Sequence, residues 1–218
     1  MPLSCLLSSF LPASSSAGRS AAASAPLSRR GLFAAGTVGL ASLTSLAVAA
    51  PASAQGETWT EAFMTREETR EGFEIGAMDQ WQVENAQFII AVCKGHGLEE
   101  AVTTVTLITA IVESWLYNYE PAVDLDSGGL FQQRPSMGWG SAADVRHKKK
   151  AIDAFLGLGE ISSAPGLLQA VPDVASWEPG QAAQTVQASA HPERYAEQVT
   201  SARTIMDRYS RKVAPFTA

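Results

Sequence analysis

Residues 101–115 read Ala101-Val102-Thr103-Thr104-Val105-Thr106-Leu107-Ile108-Thr109-Ala110-Ile111-Val112-Glu113-Ser114-Trp115. The threonines, valines and isoleucines would permit a strand. The length and the apolar positions 101, 105, 108, 112 and 115, with Leu107 and Ile111 beside them, predict a helix. Glu99 and Glu100 open it, where acids suit the positive end of the helix dipole. A carboxylate, Glu113, stands at the other end. The register places Val105, Ile108, Val112 and Trp115 in the core and Thr106, Thr109 and Glu113 on a narrow polar stripe. Upstream, Ala86, Ile89, Ile90 and Cys93 recur at helical spacing until Gly95 and Gly97 stop a preceding helix.

Downstream the pattern breaks from Tyr117 to Gly140. Gly128, Gly129, Pro135, Gly138 and Gly140 make a long helix there improbable. A connection of this length is uncommon in a compact domain and is usually functional. Helical patterning resumes at 142–156, shorter helices follow at 161–171 and 180–190, and a last helix runs from Pro192 to about Tyr209. The fold class is therefore mainly α: a single domain with a functional Gly-rich loop region between helices. Its expected extent is 83–210, after a flexible polar lead-in at 55–82 and before a C-terminal tail at 211–218.

The first 54 residues hold Arg19, Arg29 and Arg30, no lysine and no acid. Ser28-Arg29-Arg30-Gly31-Leu32-Phe33 resembles a twin-arginine export motif. An apolar run to Ala50 then reaches Ala52-Ser53-Ala54, a cleavage-like site. The expectation is a signal peptide at 1–54 and a secreted, cell-wall-associated, monomeric product with no stable membrane anchor after cleavage. The alternative is a retained anchor. All 22 acids then face 13 basic residues (16 less the three in the leader), a formal −9. An acidic chain is poorly suited to nucleic acid, which needs a basic face. Cys93 is left as the sole cysteine, so no internal disulfide forms, and its apolar helical setting reads as a small buried hydrophobe.

Glu113 stands between apolar neighbours, which disfavours its charged form and suits a general acid. The duller alternative is an exposed glutamate at a helix end. Asp124 and Asp126 follow at the start of the loop. Asp126 is read either as a second catalytic carboxylate or as an Asx-turn residue. The amides of Gln132 and Gln133 suit sugar hydroxyl and N-acetyl groups, and Gly129 allows close backbone approach to a ligand. Trp139, between two glycines, offers a flat wall for a sugar ring; Phe131 reads as core. Arg134 reads as a tie for the loop, with Asp144 or Asp126 as partner. The run Arg146–Lys150 reads as a solvated helix face. His96, His147 and His191 have no paired spacing, so neither a metal nor a cofactor is expected.

Residues 129–140, Gly-Leu-Phe-Gln-Gln-Arg-Pro-Ser-Met-Gly-Trp-Gly, resemble the signature of the lysozyme-like domain of secreted actinobacterial cell-wall proteins. The helix-borne Glu113-Ser114 followed by Gly129-Leu130-Phe131-Gln132 is similar to lytic transglycosylases and goose-type lysozymes. That resemblance implies a lysozyme-like fold and a peptidoglycan-cleaving enzyme, a glycosidase or lytic transglycosylase. Its implied target is the β-1,4 bond between N-acetylmuramic acid and N-acetylglucosamine, with Glu113 as the acid and glycan strands as the partner. The segment Ala190-His191-Pro192-Glu193-Arg194-Tyr195-Ala196 resembles the family's late segment, which implies that Tyr195 faces the acid. A non-catalytic peptidoglycan-binding module of the same fold is the alternative.

Overall fold

A computed structural model describes residues 59–120, 122 and 124–217. The expected export signal at 1–54 lies outside them. The described residues are mainly helical: α1 (Gln80–Gly95), α2 (Glu100–Ser114), α3 (Lys148–Leu156), α4 (Leu167–Ala170), α5 (Pro179–Gln187), α6 (Glu193–Glu197) and α7 (Val199–Tyr209). Extended pairing among them is limited to two isolated bridges, Met64 with Tyr119 and Gly128 with Gln133. None of these helices is long and apolar enough to cross a membrane.

Asp79 caps α1. Its carboxylate accepts from the amides of Trp81 and Gln82 at 2.9 and 3.0 Å, and the Gln82 amide oxygen accepts from Asp79 N–H at 3.1 Å. This reciprocal box satisfies donors that a helix start otherwise leaves unpaired. The expected face Ala86, Ile89, Ile90 and Cys93 is fully buried. Desolvation pushes the Cys93 thiol up to about 11, so it is a packing group and not a nucleophile at neutral pH.

Helix α2 is central, with 11 of its 15 residues buried, and it packs on α1, α5, α6 and α7. Val105 and Ile108 lie in the core as expected, but Val112 and Trp115 are only partly covered. Past Ile111 the helix leaves the core. The polar stripe also differs from expectation: the Thr106 and Thr109 hydroxyls donate to the carbonyls of Val102 and Val105 at 2.8 and 2.9 Å. Satisfied within their own helix, both threonines fill core volume. Ile108→Ala should cost about 2–5 kcal/mol in denaturant unfolding, the usual range for a large-to-small core change. A loss below about 0.5 kcal/mol is what an exposed site gives and would overturn this register.

The described part of the lead-in, 59–79, is packed, which corrects the expectation of a flexible segment. Trp59 meets Phe88 with ring centroids 5.2 Å apart. Met64 is buried, donates its amide to Asn118 O at 2.9 Å and accepts from Glu120 N–H at 3.0 Å. The tail is packed as well: Phe216 N–H donates to Ala91 O at 2.8 Å and its ring stands edge-on to Phe88. The apolar residues Trp59, Met64, Val213 and Phe216, scattered without periodicity, carry this packing.

The basic run is corrected too. Lys148 is 1 % exposed, its ammonium 3.1 Å from Asn85 Oδ1 and 3.3 Å from Glu84 Oε1, above the Phe88 ring. Burial lowers its pKa more than Glu84 and Glu61 restore it. Helix α3 begins at Lys148 and not at 142, because the Ser141 hydroxyl donates to Asp144 Oδ2 at 2.6 Å and holds the preceding residues in a turn. The predicted helix at 161–171 shrinks to α4, and the last helix is divided at Gln198 into α6 and α7.

Candidate active site

The site begins where α2 stops. Trp115 and Leu116 both adopt left-handed backbone, with φ of 55° and 66°, a conformation that costs a non-glycine residue about 1–3 kcal/mol. Side chains of α1 hold this reversal. Gln82 Nε2 donates to Trp115 O at 2.9 Å and Asn85 Nδ2 to Leu116 O at 2.8 Å. The chain therefore turns sharply just after Glu113-Ser114. The Ser114 hydroxyl lies 2.7 Å from Leu130 O and 3.0 Å from Ala110 O, which fastens the downstream loop to the helix end.

That loop is rooted in the core at one end and clamped at the other. Leu130 and Phe131 are fully buried, and Phe131 stacks on Phe155 with centroids 4.9 Å apart, so the core reading of Phe131 holds. Asp126 accepts from Arg134 Nε at 2.8 Å, from Ser136 N–H at 2.7 Å and from the Ser136 hydroxyl at 3.0 Å. These donors hold its carboxyl well below the usual range. Gly129 has φ +71°, and a Cβ there would stand 1.9 Å from Val145 O.

Loop and helix end enclose a cavity of about 710 Å³, a size suited to a small ligand. Glu113, Gln132, Gln133, Arg134, Met137 and Trp139 line one side; residues 163–165 and 185–189 line the other. Glu113 is partly buried. Desolvation raises its pKa, against the opposing effects of the Tyr195 hydrogen bond and the Arg194 charge. The fully buried Tyr195 donates its hydroxyl to Glu113 Oε1. Burial and the facing carboxylate push that phenol well above its ordinary value.

Comparison with protein-family models and with curated proteins gives no match. The chemistry must be read from the geometry.

Of the residues singled out from sequence, Glu113, Gln132, Gln133 and Trp139 line the cavity and Tyr195 touches the acid. Asp126 and Gly129 do not line it. Asp126 is corrected from second catalytic carboxylate to loop clamp, since three donors already occupy it. Gly129 is corrected from ligand contact to close approach against the Val145 carbonyl. Gln132 is partly engaged internally, its Nε2 donating to Gly129 O at 2.9 Å. Gln133 donates to Ala151 O at 3.2 Å, and its buried Oε1 has no partner among the described residues. Trp139 serves twice, packing with Val145 and Ala154 while lining the cavity.

Sequence reasoning missed Met137, which lines the cavity with 62 % exposure, and the whole opposite wall. The Gly138 carbonyl ties that wall to the loop by accepting from Ser163 N–H at 2.8 Å. Near the far edge, Ala188 turns left-handed at the end of α5. Neither segment has a charge cluster or motif to announce it.

Proposed function

We propose that this protein is a secreted peptidoglycan-cleaving enzyme of lysozyme-like fold, with Glu113 as general acid and base. Its bond is the β-1,4 linkage between N-acetylmuramic acid and N-acetylglucosamine. One observation carries the reading: Glu113 is the single carboxyl lining the cavity among the described residues, and it is held partly desolvated against Tyr195. Desolvation keeps the proton on at higher pH, the state an acid catalyst needs. The Arg29-Arg30 and Ala52-Ser53-Ala54 motifs support export to where such a substrate lies.

The protonated Glu113 donates to the glycosidic oxygen. The C1–O bond breaks, its electron pair stays on the oxygen, and the leaving sugar departs as an alcohol. The Glu113 carboxylate then takes the proton from the hydroxyl that attacks C1. Two-carboxylate glycosidases place a second acid across the bond, and none lines this cavity among the described residues. That favours attack by the sugar's own 6-hydroxyl, giving a 1,6-anhydro end. Mass spectrometry of purified peptidoglycan after digestion tests it. Anhydro ends are the expected product. Reducing ends would transfer the reaction to hydrolysis, and no product at all would replace the enzyme by a binding module.

Tyr195→Phe removes a donor that stabilises the Glu113 carboxylate, so the pKa of the acid should rise further. Because the active form is protonated, the alkaline limb of kcat/KM should move to higher pH. An unmoved limb, or one shifted to lower pH, would contradict this role for the phenol.

A further inference from the structure

A cleft that cuts inside a polymer must hold chain on both sides of its acid. The large cavity accounts for one side. Beyond Glu113 lie two smaller depressions, of about 270 and 460 Å³, and Trp115 lines both. The first is also lined by Val112, Phe73 and Arg194; the second by Arg66 and Arg70 from the packed N-terminal segment. Val112 and Trp115 flank Glu113 in sequence, and Arg194 precedes the tyrosine that touches it. These depressions therefore adjoin the acid on faces that the large cavity does not use.

Their chemistry differs from that of the large cavity. Three guanidinium groups line them, Arg66, Arg70 and Arg194, against the two carboxylates of Glu71 and Glu197. That local cationic excess stands in a chain of formal charge −6. None of the three arginines has a carboxylate within ion-pair distance among the described residues. Arg66 is preorganised, its guanidinium 5.1 Å from the Trp115 ring centroid and 4.8 Å from that of Tyr119. Stacking of this kind fixes the plane of the guanidinium and leaves its edge N–H groups for a carboxylate. The Arg70 guanidinium donates to Ala77 O, within the same segment.

We propose that the Trp115–Arg194–Arg66–Arg70 groove is the second half of the cleft. It takes the continuation of the same strand and recognises a carboxylate-bearing sugar. The inference rests on the glycan-strand reading above. It assigns the N-terminal segment, which lies outside the 129–140 loop, to selecting anionic over neutral polysaccharide.

Binding, not cleavage, tests it. The full chain carrying Glu113→Gln is titrated with two probes: glycan strands stripped of their peptides, whose muramic acids present free lactyl carboxylates, and neutral N-acetylchitohexaose. Adding Arg66→Gln and Arg70→Gln should weaken binding of the charged strands about tenfold or more, while the hexaose changes less than about twofold. Arg66→Lys with native Arg70 tests the planar stack separately and should lose part of the selectivity. If the double change unfolds the segment, Arg70→Gln alone reads the same ratio. Equal losses on both probes, no loss on either, or a parent that binds neither would each overturn the groove. Failure of the enzymatic reading shows elsewhere, as an absence of products from the wild-type protein, and leaves this selectivity ratio standing.

Discussion

Glu113→Gln should lower peptidoglycan turnover by at least about 10²–10⁴-fold, the range that acid–base catalysis contributes. The substitution keeps the side chain's shape and its capacity to accept from Tyr195, so strand binding should persist. A second consequence follows from the same burial. Below the ordinary glutamate range Glu113 is protonated in both the folded and the unfolded chain, and desolvation carries no ionic cost. As pH rises the unfolded chain loses its proton first, and the folded state loses stability until the raised pKa of Glu113 is passed. A glutamine amide at this position has no such charge to bury. The Glu113→Gln variant should therefore melt above the wild type at neutral pH and level with it in acid. Thermal melts across pH check this beside muropeptide release. Wild-type turnover by the variant would remove Glu113 from the mechanism, while a pH-independent melting difference would mean that its carboxyl is not desolvated.

What could be read from sequence was what is local. The α2 register held for Val105 and Ile108 because both lie mid-helix, where tertiary contact surrounds the apolar face. It failed for Val112 and Trp115 because the last turn projects beyond the core. Glu113 and the 129–140 loop could be linked because they are near neighbours in the chain and Ser114 fastens one to the other. The opposite wall gave no signal: residues 163–165 and 185–189 are small or neutral and reach the cavity only through tertiary folding. Lys148 was hidden for a related reason. A buried lysine is tolerable only with partners, and its partners Asn85 and Glu84 lie 63 and 64 residues away on α1. Asp126 shows the limit of residue type alone. An aspartate at the head of a glycine loop suits a catalytic pair and a turn equally well, and only the position of Arg134 and Ser136 decides between them.

Gly129 illustrates how a loop residue can look like ligand chemistry and be backbone chemistry, and it gives the largest stability effect expected here. Its φ of +71° alone costs an alanine roughly 1–2 kcal/mol, the penalty of left-handed backbone with a Cβ. The added methyl carbon would also stand 1.9 Å from Val145 O. Val145 is fully buried, so its backbone has little room to retreat, and overpacking of this kind adds about 1–3 kcal/mol. Gly129→Ala should then lose roughly 2–5 kcal/mol, a large fraction of the ~5–15 kcal/mol that holds an ordinary domain together. Gly97 provides the control. Its φ is +67°, but nothing lies within 4 Å of a Cβ built there, so Gly97→Ala should show only the conformational cost. Denaturant unfolding of both variants separates the two contributions. A Gly129→Ala loss no greater than that of Gly97→Ala would mean that the Val145 carbonyl does not close on the loop. The glycine would then be free to face a ligand, as its sequence setting suggests.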